Sequence, residues 1–229
     1  MDDRNMFTRK NIIDLILIYW GAMTGVYIVL YVNQNIVLKW PLIYRMLGVI
    51  ASYWIIAFVP ILVMARSSGK LSAYGFTKTS ISKQVLLGIF AGLIMSFALT
   101  LLPHLMGLGK YVDNGRRYQY FWHFMYEFLY CIFAVGAVEE FVFRGLIYGK
   151  IRDIFSGEWP AIILSSILFG FVHIFSGNLI QVIATSVLGL IFCLIRLKIS
   201  GITTLSLIFA HGVYNAMISV WASIFFKGI

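Results

Sequence analysis

Long runs of apolar residues dominate this sequence. Seven stretches approach or exceed the about 20 residues that a helix needs to cross the hydrocarbon core of a bilayer. Of the 229 residues, 61% are hydrophobic and only 12% are charged, which excludes a soluble domain with a charged surface. The sequence therefore predicts an all-α, polytopic transmembrane helical bundle with about seven spans. These are residues 12–32, 42–64, 85–106, 121–149, 159–175, 179–195 and 202–226.

The fourth stretch is longer than one crossing requires, so an interfacial segment at its start would add an eighth element. No repeat or soluble segment interrupts the pattern, which predicts a single domain over residues 1–229. With the N-terminus inside, the inner loops carry eleven Lys and Arg residues and the outer loops six. Basic residues gather in cytoplasmic loops. We therefore expect a multi-pass membrane protein with a cytoplasmic N-terminus and no nucleic-acid partner. A location in the bacterial cell membrane is a separate expectation, which the charge count does not address.

Three charged residues interrupt the apolar fourth stretch, namely Glu139, Glu140 and Arg144. Charges at membrane depth each cost a few kcal/mol, and they usually mark function. Glu140 and Arg144 are four residues apart, which favours an ion pair along one helix face. Glu139 points about 100° away and needs a partner on another helix. The alternative is a buried ion-pair network that only fixes helix packing.

Two histidines and an asparagine in later spans are the expected companions of Glu139. His173 ends the fifth stretch, and His211 and Asn215 share one face of the last. At the rise of an α-helix, Glu139 lies about 16 Å and His211 about 15 Å from the predicted inner boundary, and His173 lies about 21 Å from it. These depths predict one intramembrane polar site drawn from three spans.

Together these residues form three motifs, EExxxR at Glu139, FxxxH at Phe169 and HxxxN at His211. The series over residues 119–220 resembles the CPBP family of intramembrane proteases. That family includes the type II CAAX prenyl endopeptidases and the bacterial Abi proteins, and its members are commonly called metalloproteases. The resemblance implies an enzyme, a hydrolase that cleaves a peptide bond in a membrane-associated peptide or protein.

The resemblance also implies roles for the site residues. Glu139 would activate a water as general base, with His173 helping to hold it, and His211 and Asn215 would stabilise the oxyanion. Glu140 and Arg144 would support the site. No cofactor is required in this reading, although Glu139, His173 and His211 could instead hold a zinc ion.

Two other functions fit the same residues. A non-catalytic immunity or peptide-binding membrane protein could retain the polar cluster to grip a peptide. A transporter could use the carboxylates and histidines as a proton relay. The expected partners are a peptide or membrane-protein substrate and the lipid bilayer.

Overall fold

A computed structural model describes residues 3–67, 71–78, 80–112, 115–176 and 178–225. The described residues are largely helical, and none of them forms a β-strand. The α-helices are α1 (Asp3–Asn35), α2 (Leu42–Tyr53), α3 (Ile55–Arg66), α4 (Ile81–Ser96), α5 (Gly109–Val112), α6 (Phe121–Tyr130), α7 (Ala137–Glu140), α8 (Tyr148–Phe155), α9 (Glu158–Val172), α10 (Leu179–Lys198) and α11 (Thr204–Phe225). This architecture confirms the predicted all-α membrane fold.

Six helical segments among the described residues are long and apolar enough to cross a membrane, so this is a multi-pass membrane protein. They are Phe7–Lys39, Leu42–Arg66, Ile81–Val112, Glu158–Phe175, Leu179–Lys198 and Thr204–Phe225. Each corresponds to one predicted stretch. The remaining stretch, 121–149, is also helical, and its helix continues to residue 155. Its buried charges set it apart from the six apolar segments.

The chain divides into two compact units. The first comprises residues 1–77 and 138–204, and the second comprises residues 78–137 and 205–229. Each unit is therefore built from two separate stretches of the chain. The single domain and the orientation of the N-terminus stay predictions.

In the first unit, α1 packs closely against α3 through two glycines. A Cβ at Gly21 would lie 2.5 Å from the Val59 Cβ, and one at Gly25 would lie 2.6 Å from the Ile56 Cα. Only a residue without a side chain allows such an approach between helices. These two small residues, four apart on α1, thus act in packing.

The second span bends within the first unit. α2 ends at Tyr53, and α3 begins at Ile55 after a single turn residue, Trp54. Pro60 follows inside α3 and is buried. Because proline has no backbone N–H, it cannot donate to the carbonyl of Ile56. Tyr53 and Ile56 therefore lie at an irregular point of this span.

The second unit contains an ion pair in which the carboxylate is buried and the arginine is half exposed. Glu127 on α6 is buried. Its carboxylate accepts hydrogen bonds from Arg116 Nη1 at 2.7 Å and from the Tyr118 hydroxyl at 2.8 Å. The Ser219 hydroxyl of α11 donates to the same carboxylate at 3.3 Å. Burial raises the pKa of Tyr118, and the negative charge of Glu127 adds to the effect, so the Tyr118 hydroxyl stays protonated as a donor. This cluster ties the 115–120 segment to α6 and α11.

Candidate active site

The paired glutamates lie in a short α-helical segment between two π-helical turns. α7 carries Glu139 and Glu140, and the π-helical turns Cys131–Gly136 and Phe141–Ile147 precede and follow it. Such turns widen a helix locally and are frequent at functional sites. The carboxylates are buried, with Glu139 8% and Glu140 0% exposed. The irregular winding thus coincides with the charges that the sequence singles out.

Glu139 and His173 line the same cavity in the first unit. The cavity has a volume of about 210 Å³. Its walls are otherwise apolar except for Tyr53, and the remaining lining residues are Val26, Val29, Leu30, Ile56, Val172 and Phe175. A mostly apolar cavity with a few convergent polar groups is typical of a ligand or active site. The structure therefore brings together two of the predicted site residues.

The sequence pattern does not reveal the hydrogen-bond partner of Glu139. The Tyr53 hydroxyl donates to Glu139 Oε1. Tyr53 lies at the end of α2, inside an apolar stretch and outside every motif. Histidines alone are the predicted partners, so Tyr53 is a site residue that sequence reasoning misses. The only signal for it is a phenol at the depth of a membrane span.

The FxxxH motif has a direct structural meaning. His173 Nδ1 lies 3.0 Å from the backbone carbonyl oxygen of Phe169. Because a carbonyl can only accept, Nδ1 carries the proton, and in a neutral ring Nε2 is left as an acceptor. The Phe169 ring also meets the His173 ring edge-on at 5.1 Å between centroids. Phe169 thus sets both the tautomer and the orientation of His173.

Glu140 and Arg144 form the predicted ion pair on the far side of the same helix segment. Arg144 Nη1 lies 2.9 Å from Glu140 Oε1, and both side chains are at most 1% exposed. The guanidinium also lies 4.2 Å from the centre of the Phe169 ring. Cations over aromatic faces are stabilised where water is excluded. Neither residue lines the cavity, which fits the supporting role expected of the pair.

Arg196 stabilises this segment in a way that the sequence does not predict. Its Nη1 donates to the Arg144 backbone carbonyl at 2.6 Å. The sequence suggests for Arg196 only a basic residue in an inner loop, whereas the structure places it against the π-helical turn. A backbone acceptor leaves no trace in a side-chain pattern.

His211 and Asn215 lie on α11 in the second unit. His211 is 2% exposed and Asn215 is half-buried. A Cβ at Gly212, beside His211, would lie 2.6 Å from the Ile132 Cα, so α11 packs tightly against the Cys131–Gly136 turn. The structure thus buries His211 and partly buries Asn215. Their participation in one site with Glu139 stays a prediction.

The zinc site considered for Glu139, His173 and His211 stays a prediction. Among the residues that the structure describes, no group of three or more His, Cys, Asp and Glu side chains is placed to hold a metal ion. Glu139 and His173 belong to the first unit and His211 to the second.

A comparison with family models identifies the family. Residues 121–217 match the model described as type II CAAX prenyl endopeptidase Rce1-like. This matched segment belongs to the CAAX protease family. The matched segment contains all three motifs, so the resemblance drawn from them is confirmed. No curated protein and no solved structure matches the chain significantly.

Membership in the CAAX protease family makes the chain a hydrolase of peptide bonds. Together with the membrane-spanning helices, it makes the protein an intramembrane protease with a peptide or protein as substrate. The matched segment contributes Glu139 and His173 to the cavity. Tyr53 also lines the cavity but lies outside the matched segment. The cavity is thus completed by a residue from a part of the chain that the family model does not cover.

Proposed function

We propose that the cavity beside Glu139 is the catalytic site and that the enzyme cleaves its substrate with a water activated by this glutamate. The observation that carries the proposal is the shared cavity of Glu139 and His173, with Tyr53 hydrogen-bonded to the carboxylate. Its mostly apolar walls limit the access of bulk water to the carboxylate. One ordered water could then be activated without competing solvent.

In the first step, a Glu139 carboxylate oxygen takes a proton from the water as the water oxygen attacks the peptide carbonyl carbon. The C=O double bond opens, and its electron pair moves to the oxygen. His173 Nε2 accepts a hydrogen bond from the second water proton and so orients the lone pair of the water. Tyr53 holds the carboxylate by its hydroxyl. Hydrogen-bond donors must then stabilise the oxyanion, and this role is proposed for His211 and Asn215.

In the second step, the protonated Glu139 delivers its proton to the peptide nitrogen. The electron pair of the oxyanion re-forms the C=O double bond as the C–N bond breaks. The C–N electron pair stays with the nitrogen, which leaves as a neutral amine. The other product is a carboxylic acid, and the glutamate returns to its starting form. One water is consumed for each bond cleaved, so no oxidant or further co-reactant is needed. The mechanism requires no cofactor, and the chelator experiment below tests that part of the proposal.

The test is cleavage of a pool of prenylated and unprenylated peptides by the purified protein in lipid vesicles, read by mass spectrometry. We expect Glu139→Gln to abolish cleavage, because an amide cannot accept the water proton. Glu158→Gln is the matched control, since it changes a carboxylate whose side chain is 46% exposed. Circular dichroism and size-exclusion chromatography confirm that each variant is folded.

The outcomes separate the alternatives. Full cleavage by Glu139→Gln would overturn the proposed role of this residue. Loss of wild-type cleavage in a chelator, with recovery on adding zinc, would replace the metal-free mechanism with a zinc-dependent one. Binding without cleavage across the whole pool would favour a peptide-binding protein. His211→Phe and Asn215→Leu are expected to lower kcat by about 100-fold or more if they stabilise the oxyanion, whereas an unchanged kcat would remove them from the site.

A further inference from the structure

A second cavity in the first unit lies where two membrane spans end. It has a volume of about 210 Å³, and Lys10, Lys150 and Arg152 are among its lining residues. One span begins at Phe7 and the next ends at Arg66, and both Phe7 and Ser67 line the cavity. The ends of membrane-spanning helices lie near the lipid headgroups. The cavity is therefore a polar one at the edge of the apolar layer.

Lys150 is held in place with part of its donor capacity unused. Its Nζ lies 2.6 Å from Asp14 Oδ2 and 3.0 Å from Asn11 Oδ1. A lysine ammonium has three N–H donors, so these two acceptors leave one for a ligand. The Asp14 carboxylate balances one charge and keeps the ammonium in a defined position.

The side-chain amide of Asn11 has a donor without a hydrogen-bond acceptor in the described part of the chain. It is 4% exposed and also lines the cavity. Because Lys150 faces the amide oxygen, the amide nitrogen must point elsewhere. Nδ2 has no hydrogen-bond partner among the described residues. A buried N–H without an acceptor is costly, so an oxygen atom that reaches this nitrogen would be stabilised.

Arg152 keeps donors available as well. Its nitrogens lie 3.8 Å from Asp153 and 4.0 Å from Glu158, and both distances exceed a hydrogen bond. Lys10 is exposed at the rim. Burial raises the pKa of Tyr74, another lining residue, and the charge of Asp14 adds to the effect, so its hydroxyl stays protonated.

We propose that this cavity binds a phosphate group, carried by an anionic phospholipid or as free inorganic phosphate. Three cations and one carboxylate, Asp153, line it, and Asp14 neutralises Lys150 from outside the lining. The lining charges together with Asp14 remain net positive, which attracts an anion. Lysine binds phosphate as a point charge, and arginine binds it through its planar set of donors. The position at the end of the spans suits a lipid headgroup.

The experiment titrates the purified full-length protein in neutral detergent. The probes are dioctanoyl phosphatidylglycerol, dioctanoyl phosphatidylcholine and inorganic phosphate, with binding followed by native mass spectrometry and calorimetry. The test variant is Lys10→Gln/Arg152→Gln, which leaves the ion pair of Lys150 with Asp14 intact. The control variant, Arg9→Gln/Lys198→Gln, removes two exposed charges outside the cavity.

We expect phosphatidylglycerol to bind about 30-fold more weakly to the test variant, from the attraction of two basic residues for anionic lipid. The control variant should bind like the wild type. Charge-dependent binding of inorganic phosphate but not of the lipid would identify free phosphate as the ligand. Equal weakening in both variants, equal binding of phosphatidylcholine, or no binding of either anion would overturn the proposal. Protease activity does not enter the readout, so the result is independent of the proposed catalytic mechanism.

Discussion

Tyr53 and Glu139 lie 86 residues apart in the sequence and meet in the first unit, where the Tyr53 hydroxyl donates to the Glu139 carboxylate. The bond joins the end of α2 to α7. It restrains the carboxylate in a cavity whose other walls are mostly apolar. A carboxylate that must present one oxygen to a water benefits from such a restraint. The geometry predicts that Tyr53 is a positioning residue.

Removing this hydroxyl should slow catalysis without unfolding the protein. Hydrogen bonds to charged groups contribute about 1.5–3 kcal/mol, so we expect Tyr53→Phe to lower kcat by about 10-fold or more. KM should change little, because the change affects the carboxylate rather than the apolar walls. Kinetics on any peptide cleaved by the wild type provide the measurement. Tyr44→Phe, at an exposed site on α2, is the control. An unchanged kcat for Tyr53→Phe would contradict the positioning role.

The buried Glu140–Arg144 pair should matter chiefly for stability. Breaking one side of a buried pair leaves an uncompensated charge, so Arg144→Gln should destabilise the protein by about 3–5 kcal/mol. Arg66→Gln, at an exposed position, should cost less than about 1 kcal/mol. Reversible unfolding in mixed micelles measures both. The double variant Glu140→Gln/Arg144→Gln tests the pairing. If its loss of unfolding free energy equals the sum of the losses in the two single variants, the two side chains do not interact.

Substitution of Phe169 should lower the stability of the protein but leave its kcat nearly unchanged. Phe169→Leu removes the ring that covers the Arg144 guanidinium and should cost about 1–3 kcal/mol in unfolding free energy. The acceptor for His173 is the backbone carbonyl, which the substitution keeps. The kcat of the folded enzyme should therefore stay within about threefold of wild type, a margin set by small shifts in packing. Phe171→Leu, exposed on the same helix, is the control. A large fall in kcat would show that the ring itself orients His173.

Adding one methyl group where α1 contacts α3 should lower the stability of the protein. Gly25→Ala places a Cβ 2.6 Å from the Ile56 Cα and should destabilise the protein by about 1–3 kcal/mol through overpacking. Gly149→Ala meets nothing closer than 3.9 Å and should be neutral or stabilising by up to about 1 kcal/mol. Thermal unfolding of the two variants compares them directly. Equal stability would mean that the helices can separate at little cost.

Much of the fold is readable from the sequence because a membrane imposes simple rules. Apolar stretches of sufficient length mark helices, and six of the seven predicted ones fall on apolar membrane-spanning segments. Spacing along a single helix is equally readable, so the ion pair of Glu140 with Arg144 is confirmed. Two of the predicted site residues, Glu139 and His173, line one cavity. Their catalytic roles, and those of His211 and Asn215, stay predictions.

The sequence by itself determined the membrane spans, the charged motif within one helix and the protease family, because each depends on composition or on spacing along one stretch of chain. Only the tertiary structure decided that Tyr53 bonds Glu139, that Arg196 bonds the Arg144 carbonyl and that a second cavity gathers Lys10, Lys150 and Arg152. The physical reason is that contacts between helices depend on where the helices cross and bend. Close approaches such as that of Gly25 to Ile56 set those positions, and no local periodicity encodes them.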